Sequence, residues 1–205
     1  MKYHKIDSVF KRDPATKNKR FLMGDFSRPE FEYLYSLPWV GTEKIDGTNI
    51  RLYKDFRIAG RTDNAQIHPD LMTHLRYVSG KLCGSDLPED IVLYGEGYGA
   101  KIQSGGHYIP DGQSFVLFDV MINGNYQPRE SVEDIAGKLS IPVVPILNVL
   151  SLKDWVQAIS RGEYKESVLH PGAPNEGVVL RPSKELQTRT GDRVITKLKF
   201  KDFGL

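Results

Sequence analysis

Short stretches of the chain alternate between hydrophobic and polar residues with a period of two. This pattern covers Asn49–Tyr53 and Arg193–Lys201, and it is typical of strands that bury only one face. Three mainly apolar runs, Val92–Glu96, Phe115–Val120 and Gly177–Leu180, are typical of more deeply buried strands. The hydrophobic pattern therefore predicts that extended structure makes up much of the chain.

Three other segments have the spacing of amphipathic helices. Pro69–Leu82 places four aliphatic residues on one side, and its proline suits the first turn of a helix. Ser131–Leu139 begins with roughly capping-box spacing and stops before a proline, while Ser151–Arg161 begins at a serine cap and stops before a glycine. Strands and helices do not alternate strictly, so we predict an α+β fold with largely antiparallel sheets.

The overall composition is that of an ordinary globular protein, with 40% hydrophobic and 26% charged residues. No apolar run is long enough to cross a bilayer, the N-terminus does not resemble a signal peptide, and the single cysteine excludes an internal disulfide. We therefore expect a cytoplasmic protein that makes no contact with a membrane. Because no linker or repeat divides the chain, we predict a single domain over residues 1–205.

The distribution of charge permits nucleic acid as a partner but does not by itself indicate it. The 28 basic and 26 acidic residues give a formal net charge of +2. Residues 11–20 contain five basic residues and one aspartate, and we interpret this run as a solvated loop. Lys101, Arg181 and Lys184 are further candidates for contacting a nucleic-acid strand.

The positions of several lysines allow two interpretations, one structural and one functional. Lys44 comes directly before Asp46-Gly47, which predicts a turn, so its side chain is either on the surface or in a cleft. Lys197, Lys199 and Lys201 share one face of a predicted strand. That face is either the charged edge of a sheet or a cationic surface for phosphate.

Two carboxylates stand at the ends of apolar strands. Glu96 closes one of these strands and Glu176 opens another. Burying a carboxylate is costly unless it is paired or binds a metal. Both glutamates are therefore either exposed at strand ends or available to contact a ribose and a magnesium ion.

The segment Glu43–Asn49, with the sequence Glu-Lys-Ile-Asp-Gly-Thr-Asn, resembles the Lys-x-Asp-Gly signature of the covalent nucleotidyltransferase superfamily, which includes DNA ligases, RNA ligases and messenger-RNA capping enzymes. Its other motifs follow in the family order: Gly60-Arg61-Thr62, Glu96, Phe118-Asp119-Val120, Glu176-Gly177-Val178-Val179 and Lys197-Leu198-Lys199. The set is most similar to the ATP-dependent RNA ligases of the phage nick-sealing type. The resemblance implies a nucleotidyltransferase domain with an ATP-grasp-like arrangement of antiparallel sheets flanked by helices.

The resemblance also implies a mechanism in three steps. Lys44 is expected to attack the α-phosphate of ATP and form lysyl-AMP, after which AMP passes to a 5′-phosphate end and a 3′-hydroxyl seals the strand. The attack needs the neutral amine, but a free lysine has a pKa of about 10.4 and is almost entirely protonated at neutral pH. Neighbouring cations are therefore expected to lower the pKa of the Lys44 amine. The roles implied for the other positions are nucleotide binding by Glu43 and Asn49, ribose contacts by Arg61 and Glu96, adenine stacking by Phe118, phosphate contacts by Lys197 and Lys199, and a Mg²⁺ or Mn²⁺ ligand in Glu176.

The expected partner is RNA or a nicked duplex that contains RNA, in RNA repair in a cytoplasm, including that of a phage host. A DNA ligase, a GTP-using capping guanylyltransferase and a non-catalytic nucleic-acid-binding relative remain as alternatives. The chain ends at Leu205, six residues after Lys199. We therefore expect no C-terminal OB domain, and three interpretations stay open: a minimal ligase, an excised catalytic domain, or one part of a complex in which a separate domain or protein supplies the missing C-terminal region.

A second motif suggests a different nucleotide. Gly95–Ala100 fits the pattern G-x-G-x-x-A of dinucleotide-binding folds. That motif must open a helix, whereas residues 101–114 contain three glycines and a proline. We interpret the match as accidental.

Overall fold

The computed structural model describes residues 3–205, and its elements are strands, α-helices and short 3₁₀ helices. The strands are β1 (Asp7–Ser8), β2 (Phe10–Arg12), β3 (Phe21–Phe26), β4 (Pro38–Lys44), β5 (Thr48–Tyr53), β6 (Ile58–Gly60), β7 (Val92–Gly99), β8 (Gln113–Ile122), β9 (Asn125–Tyr126), β10 (Ile146–Ser151), β11 (Gly177–Pro182) and β12 (Thr196–Lys199). The α-helices are α1 (Pro29–Tyr33), α2 (Pro69–Cys83), α3 (Arg129–Leu139) and α4 (Leu152–Ser160). The 3₁₀ helices are Pro14–Thr16, Gly105–His107 and Phe200–Phe203.

The chain forms two compact units, each with its own sheet and core. The internal unit contains Tyr3 and Ile45–Val144, and the terminal unit contains His4–Lys44 and Pro145–Leu205. The prediction of a single domain over residues 1–205 stays a prediction. The predicted α+β class with largely antiparallel sheets is confirmed, because all but one of the strand pairs in these sheets are antiparallel.

The internal unit is built on a five-stranded sheet with the order β6-β5-β7-β8-β9. One face of this sheet packs against α2 and α3, and the aliphatic side chains of α2 enter the core as predicted. Glycines on β7 allow this close packing. A Cβ atom at Gly95 would lie 2.2 Å from the ring of Phe115, and one at Gly97 would lie 2.6 Å from Leu71. Strand β7 continues to Gly99, and the next elements are a short 3₁₀ helix and β8 rather than an α-helix, so the interpretation of the dinucleotide motif as accidental is confirmed.

The terminal unit is built on a second five-stranded sheet with the order β1-β12-β11-β4-β10, beside the hairpin β2–β3. Its core contains the buried indoles of Trp39 and Trp155. Trp155 Nε1 donates a hydrogen bond of 3.0 Å to the carbonyl of Trp39, and its ring occupies the space where Gly41 lacks a side chain. Helix α4 begins after Ser151 as predicted, since Ser151 Oγ accepts a 3.0 Å hydrogen bond from the amide of Asp154.

Two predicted elements have wrong boundaries. Helix α3 begins at Arg129 rather than at Ser131, because Pro128 precedes its first turn and Arg129 donates a 2.6 Å hydrogen bond to Glu133 one turn later. The predicted strand Arg193–Lys201 is shortened at both ends to β12, and at its C-terminal end this is because the last residues coil into a 3₁₀ helix. Lys201 therefore leaves the alternating face that Lys197 and Lys199 share. Within residues 3–205, no helix combines the length and the apolar character that a membrane span needs.

Candidate active site

The register of three neighbouring strands brings two distant lysines to one glutamate. Gly177, the first residue of β11, pairs with Lys44 on β4 and with Lys199 on β12. Glu176 directly precedes Gly177, so its carboxylate lies between the two lysines. Gly177 has no side chain to separate the strands, and a Cβ atom there would lie 2.1 Å from the carbonyl oxygen of Leu198.

Both lysines form ion pairs with Glu176. Lys44 Nζ donates to one carboxylate oxygen and Lys199 Nζ donates to the other. The side chains of Lys44, Glu176 and Lys199 are 20%, 11% and 17% exposed. Burial raises the pKa of Glu176, but the combined effect of the two lysines lowers it by more. The pKa of Glu176 is therefore below the ordinary value of 4.5. Glu176 is therefore ionised at neutral pH.

Lys197 is two residues before Lys199 on β12 and adds a third positive charge. Burial, together with the charges of Lys44, Lys199 and Arg12, lowers the pKa of Lys197 to about 8 against the opposing effect of Glu176. We call Lys44, Glu176, Lys197 and Lys199 the lysine cluster. One carboxylate does not neutralise three lysines, so an anion that enters the cluster gains favourable electrostatic energy.

Glu43 lies next to Lys44, but its carboxylate is used within the protein. It is 1% exposed and accepts hydrogen bonds from Ser167 Oγ (2.5 Å) and from the amides of Val168 (3.0 Å) and Leu169 (3.0 Å). The carboxylate thus attaches β4 to the loop that leads to Glu176. Nucleotide binding by Glu43 stays a prediction, and the loop contacts were not detectable from the sequence because the partners are more than 120 residues away.

The other predicted nucleotide-binding residues belong to the internal unit. Asn49 on β5 is the direct register partner of Glu96 on β7, so these two side chains share one face of the sheet. The Oδ1 atom of Asn49 is buried and has no hydrogen-bond partner in the described part of the chain. Arg61 follows the last residue of β6 and is exposed. The buried Arg51 holds this turn, with hydrogen bonds of 2.8 Å to the carbonyl of Gly60 and 2.7 Å to Asp63.

Phe118 is half-buried and lies at a bulge in β8. The pairing of β8 with β7 skips this residue, since Gly95 pairs with Leu117 and Tyr94 pairs with Asp119. The rings of Phe118 and Tyr3 pack edge to face with 5.1 Å between their centroids. Phe115, in contrast, is fully buried in the core. The neighbouring Asp119 accepts a 2.5 Å hydrogen bond from the Tyr3 hydroxyl, a contact that the sequence did not indicate. Of the two phenylalanines, Phe118 is therefore the partly exposed one, and adenine stacking by Phe118 stays a prediction.

The donor set of the lysine cluster is suited to a metal that binds together with phosphate. In residues 3–205 there is no group of three or more His, Cys, Asp or Glu side chains arranged for a metal. A magnesium-type ion usually takes one or two carboxylates and completes its octahedral shell with water and substrate phosphates. The single carboxylate of Glu176, surrounded by cations that attract phosphate, fits that kind of ion.

Comparisons with known proteins give a family match and a likeness of fold. A family model described as RNA ligase matches residues 37–199, and no curated protein sequence matches the chain. Similar solved structures include an apo mutant of the Naegleria gruberi RNA ligase, with a TM-score of 0.68, 18% identity, and coverage of 99% of this chain and 56% of that chain. They also include a mutant of that ligase with ATP and Mn, with a TM-score of 0.67 and 20% identity, and the ligase with PPi, with a TM-score of 0.67 and 21% identity. Both comparisons cover 97% of this chain and 56% of the ligase chain. The likeness is one of fold, and this chain spans little more than half the length of these ligases.

Proposed function

This chain belongs to the RNA ligase family, and we propose that it is an ATP-dependent RNA ligase whose nucleophile is Lys44. The observation that carries the proposal is the lysine cluster, in which Lys44 and Lys199 share the carboxylate of Glu176. A lysine held among cations, beside an acid suited to a metal, is the arrangement that phosphoramidate formation requires.

In the proposed first step, the Lys44 amine attacks the α-phosphorus of ATP. A bond forms between nitrogen and phosphorus, the bond from phosphorus to the bridging oxygen breaks, and pyrophosphate leaves with that electron pair. The amine must lose a proton to react. The positive charges of Lys197 and Lys199 favour its neutral form, while the ion pair with Glu176 favours its charged form.

Glu176 would hold a divalent cation, which would supply charge neutralisation on the phosphate oxygens. Lys44 would then lose its counter-ion while its cationic neighbours remain, which favours release of its proton. Lys199 and Lys197 would hold the oxygens of the phosphate that Lys44 attacks.

We propose adenosine contacts for Asn49, Glu96 and Phe118. Asn49 offers a buried acceptor without a partner, Glu96 faces it across the strand pair, and Phe118 offers a half-buried ring. Arg61 is proposed as a further ribose contact. The three hydrogen bonds of Glu43 support an indirect role, in which it fixes the end of β4 rather than touching the nucleotide.

The later steps are proposed from family membership. AMP passes from Lys44 to a 5′-phosphate end, and a 3′-hydroxyl displaces AMP to close the strand. The proposed substrate is RNA, including a nicked duplex with RNA on the 3′-hydroxyl side. The proposed divalent cation is Mg²⁺ or Mn²⁺.

Labelling with α-³²P-ATP and Mg²⁺ tests the first step. We expect label on the wild-type protein and none on Lys44→Ala, while Lys153→Ala, which removes an exposed lysine of α4, is labelled like the wild type. Replacing ATP with GTP is expected to abolish most of the label. Equal labelling of Lys44→Ala would remove Lys44 as the nucleophile, and a preference for GTP would favour a capping-type guanylyltransferase.

A further inference from the structure

A cavity of about 540 Å³ in the terminal unit extends from the lysine cluster to the surface. Five of its described lining residues are basic and one is acidic, namely Arg12, Lys19, Lys197, Lys199, Lys201 and Asp202. We call it the Arg12 cavity. Lys197 and Lys199 are half-buried at its inner end, whereas Lys19 and Lys201 are exposed at its rim.

The positive charge of the Arg12 cavity is not balanced within the protein. Asp202 is its one acidic lining residue, and it is committed to Arg12 through an ion pair of 2.8 Å. In the part of the chain that the structure describes, Lys19, Lys197 and Lys201 have no ion-pair partner. The lowered pKa of Lys197, to about 8, agrees with a site that has positive charge in excess.

Arg12 is held in place before any ligand arrives. Its guanidinium donates to Asp202 and, at 3.2 Å, to the carbonyl of Asn18, and it lies 5.3 Å from the centre of the Phe21 ring. Asp202 is 2% exposed, so the ion pair is anchored in the protein interior. A fixed guanidinium loses little conformational entropy when it binds an anion, which favours binding.

We infer that the Arg12 cavity binds the phosphate backbone of the RNA strand that enters the lysine cluster. This inference rests on the proposed function. The cations run from half-buried positions at the cluster to exposed positions at the rim, and Lys17 and Arg20 continue the exposed basic surface along the hairpin. A polyanion with regularly spaced phosphates matches such a path, whereas the phosphates of one ATP molecule need only its inner end.

The test measures RNA binding without ATP. The probe is a fluorescent nicked duplex with RNA strands and a 5′-phosphate at the nick, and its affinity is measured by anisotropy over a range of KCl concentrations. The variant is Lys19→Ala/Lys201→Ala. Its matched control, Lys153→Ala/Lys165→Ala, removes the same charge from exposed positions of the same unit outside the cavity and outside the hairpin. Urea midpoints of all proteins establish that they fold.

For the cavity variant, we expect the affinity at about 100 mM salt to fall about tenfold or more and the salt slope to fall by about 1 for each lysine removed. The control is expected to change affinity less than about threefold, because its lysines lie outside the path. Equal losses in both variants, or no loss in the cavity variant, would overturn the inference.

Self-adenylylation kinetics provide the second arm. If the cavity variant raises the KM for ATP and keeps its RNA affinity, the cavity serves the phosphates of ATP, and the RNA assignment is wrong. Failure of the proposed function would look different. In that case Lys44 would not become labelled, yet the RNA-binding measurement, which uses no ATP, would still decide the role of the cavity.

Discussion

Replacing Lys197 by methionine is expected to stabilise the folded protein at neutral pH. Methionine keeps an unbranched apolar stem of similar length but removes the positive charge. Lys197 has no counter-ion in direct contact within residues 3–205, and burial, Lys44, Lys199 and Arg12 all disfavour its charged form. Removing the charge at position 197 therefore removes an unfavourable interaction from the folded state.

The magnitude follows from linkage between protonation and folding. The pKa of Lys197 is lowered from 10.5 to about 8, which corresponds to about 3 kcal/mol. Because the side chain is partly exposed, solvent screening reduces the expected gain to about 1–2 kcal/mol. Between pH 8 and 10.5 the folded state binds fewer protons than the unfolded state. The unfolding free energy of the wild type therefore rises by this amount as the pH increases through that interval.

Urea denaturation of the wild type and Lys197→Met at several pH values tests this expectation. The difference in unfolding free energy should be largest below pH 8 and should shrink toward zero near pH 10.5. Lys201→Met, which removes the charge of an exposed lysine nearby, should change stability by less than about 0.5 kcal/mol. A destabilised Lys197→Met protein, or a difference that does not depend on pH, would refute the reasoning.

Two further substitutions test the backbone and the anchor of the site. Gly177→Ala should destabilise the protein by about 2–4 kcal/mol because its Cβ would collide with the carbonyl of Leu198. Gly137→Ala, an exposed position in the last turn of α3 where an added Cβ would meet no atom within 4 Å, should instead stabilise it by about 0.5–1 kcal/mol, and equal urea midpoints for the two would contradict this. Glu43→Gln should cost about 1–3 kcal/mol because an amide group then faces backbone donors, whereas an unchanged midpoint would show that the loop contacts are dispensable.

Local sequence patterns predicted the elements that depend on local interactions. Helix α2 follows its apolar stripe, and α4 follows its serine cap. The wrong C-terminal boundary of the last predicted strand arose where tertiary contacts decide the structure. The alternation in Arg193–Lys201 predicted a strand to the end of the segment, but Phe200 turns into the core of the terminal unit and the chain coils there. A period-two pattern cannot indicate where the partner strand ends.

The bulge at Phe118 shows a different limit. Strict alternation places Phe115 and Phe118 on opposite faces, and the structure keeps Phe115 in the core and Phe118 half-buried. However, the skipped register position also shifts the residues after it, so that Val120 rather than Asp119 enters the core. A bulge of this kind depends on the neighbouring strand, which the sequence of β8 alone does not contain.

The lysine cluster could be proposed from motifs, but its electrostatics depend on the sheet. Lys44 and Glu176 are 132 residues apart, and the order β12-β11-β4 makes them neighbours. That same order also places Lys199 opposite Gly177, so the single carboxylate is shared and Lys197 is left without a counter-ion in direct contact within residues 3–205. A sheet with this register therefore maintains an excess of positive charge that the protein itself does not neutralise. Under the proposed function, a phosphate ligand would supply the missing negative charge, so the arrangement that weakens the free protein would strengthen its complex with that ligand.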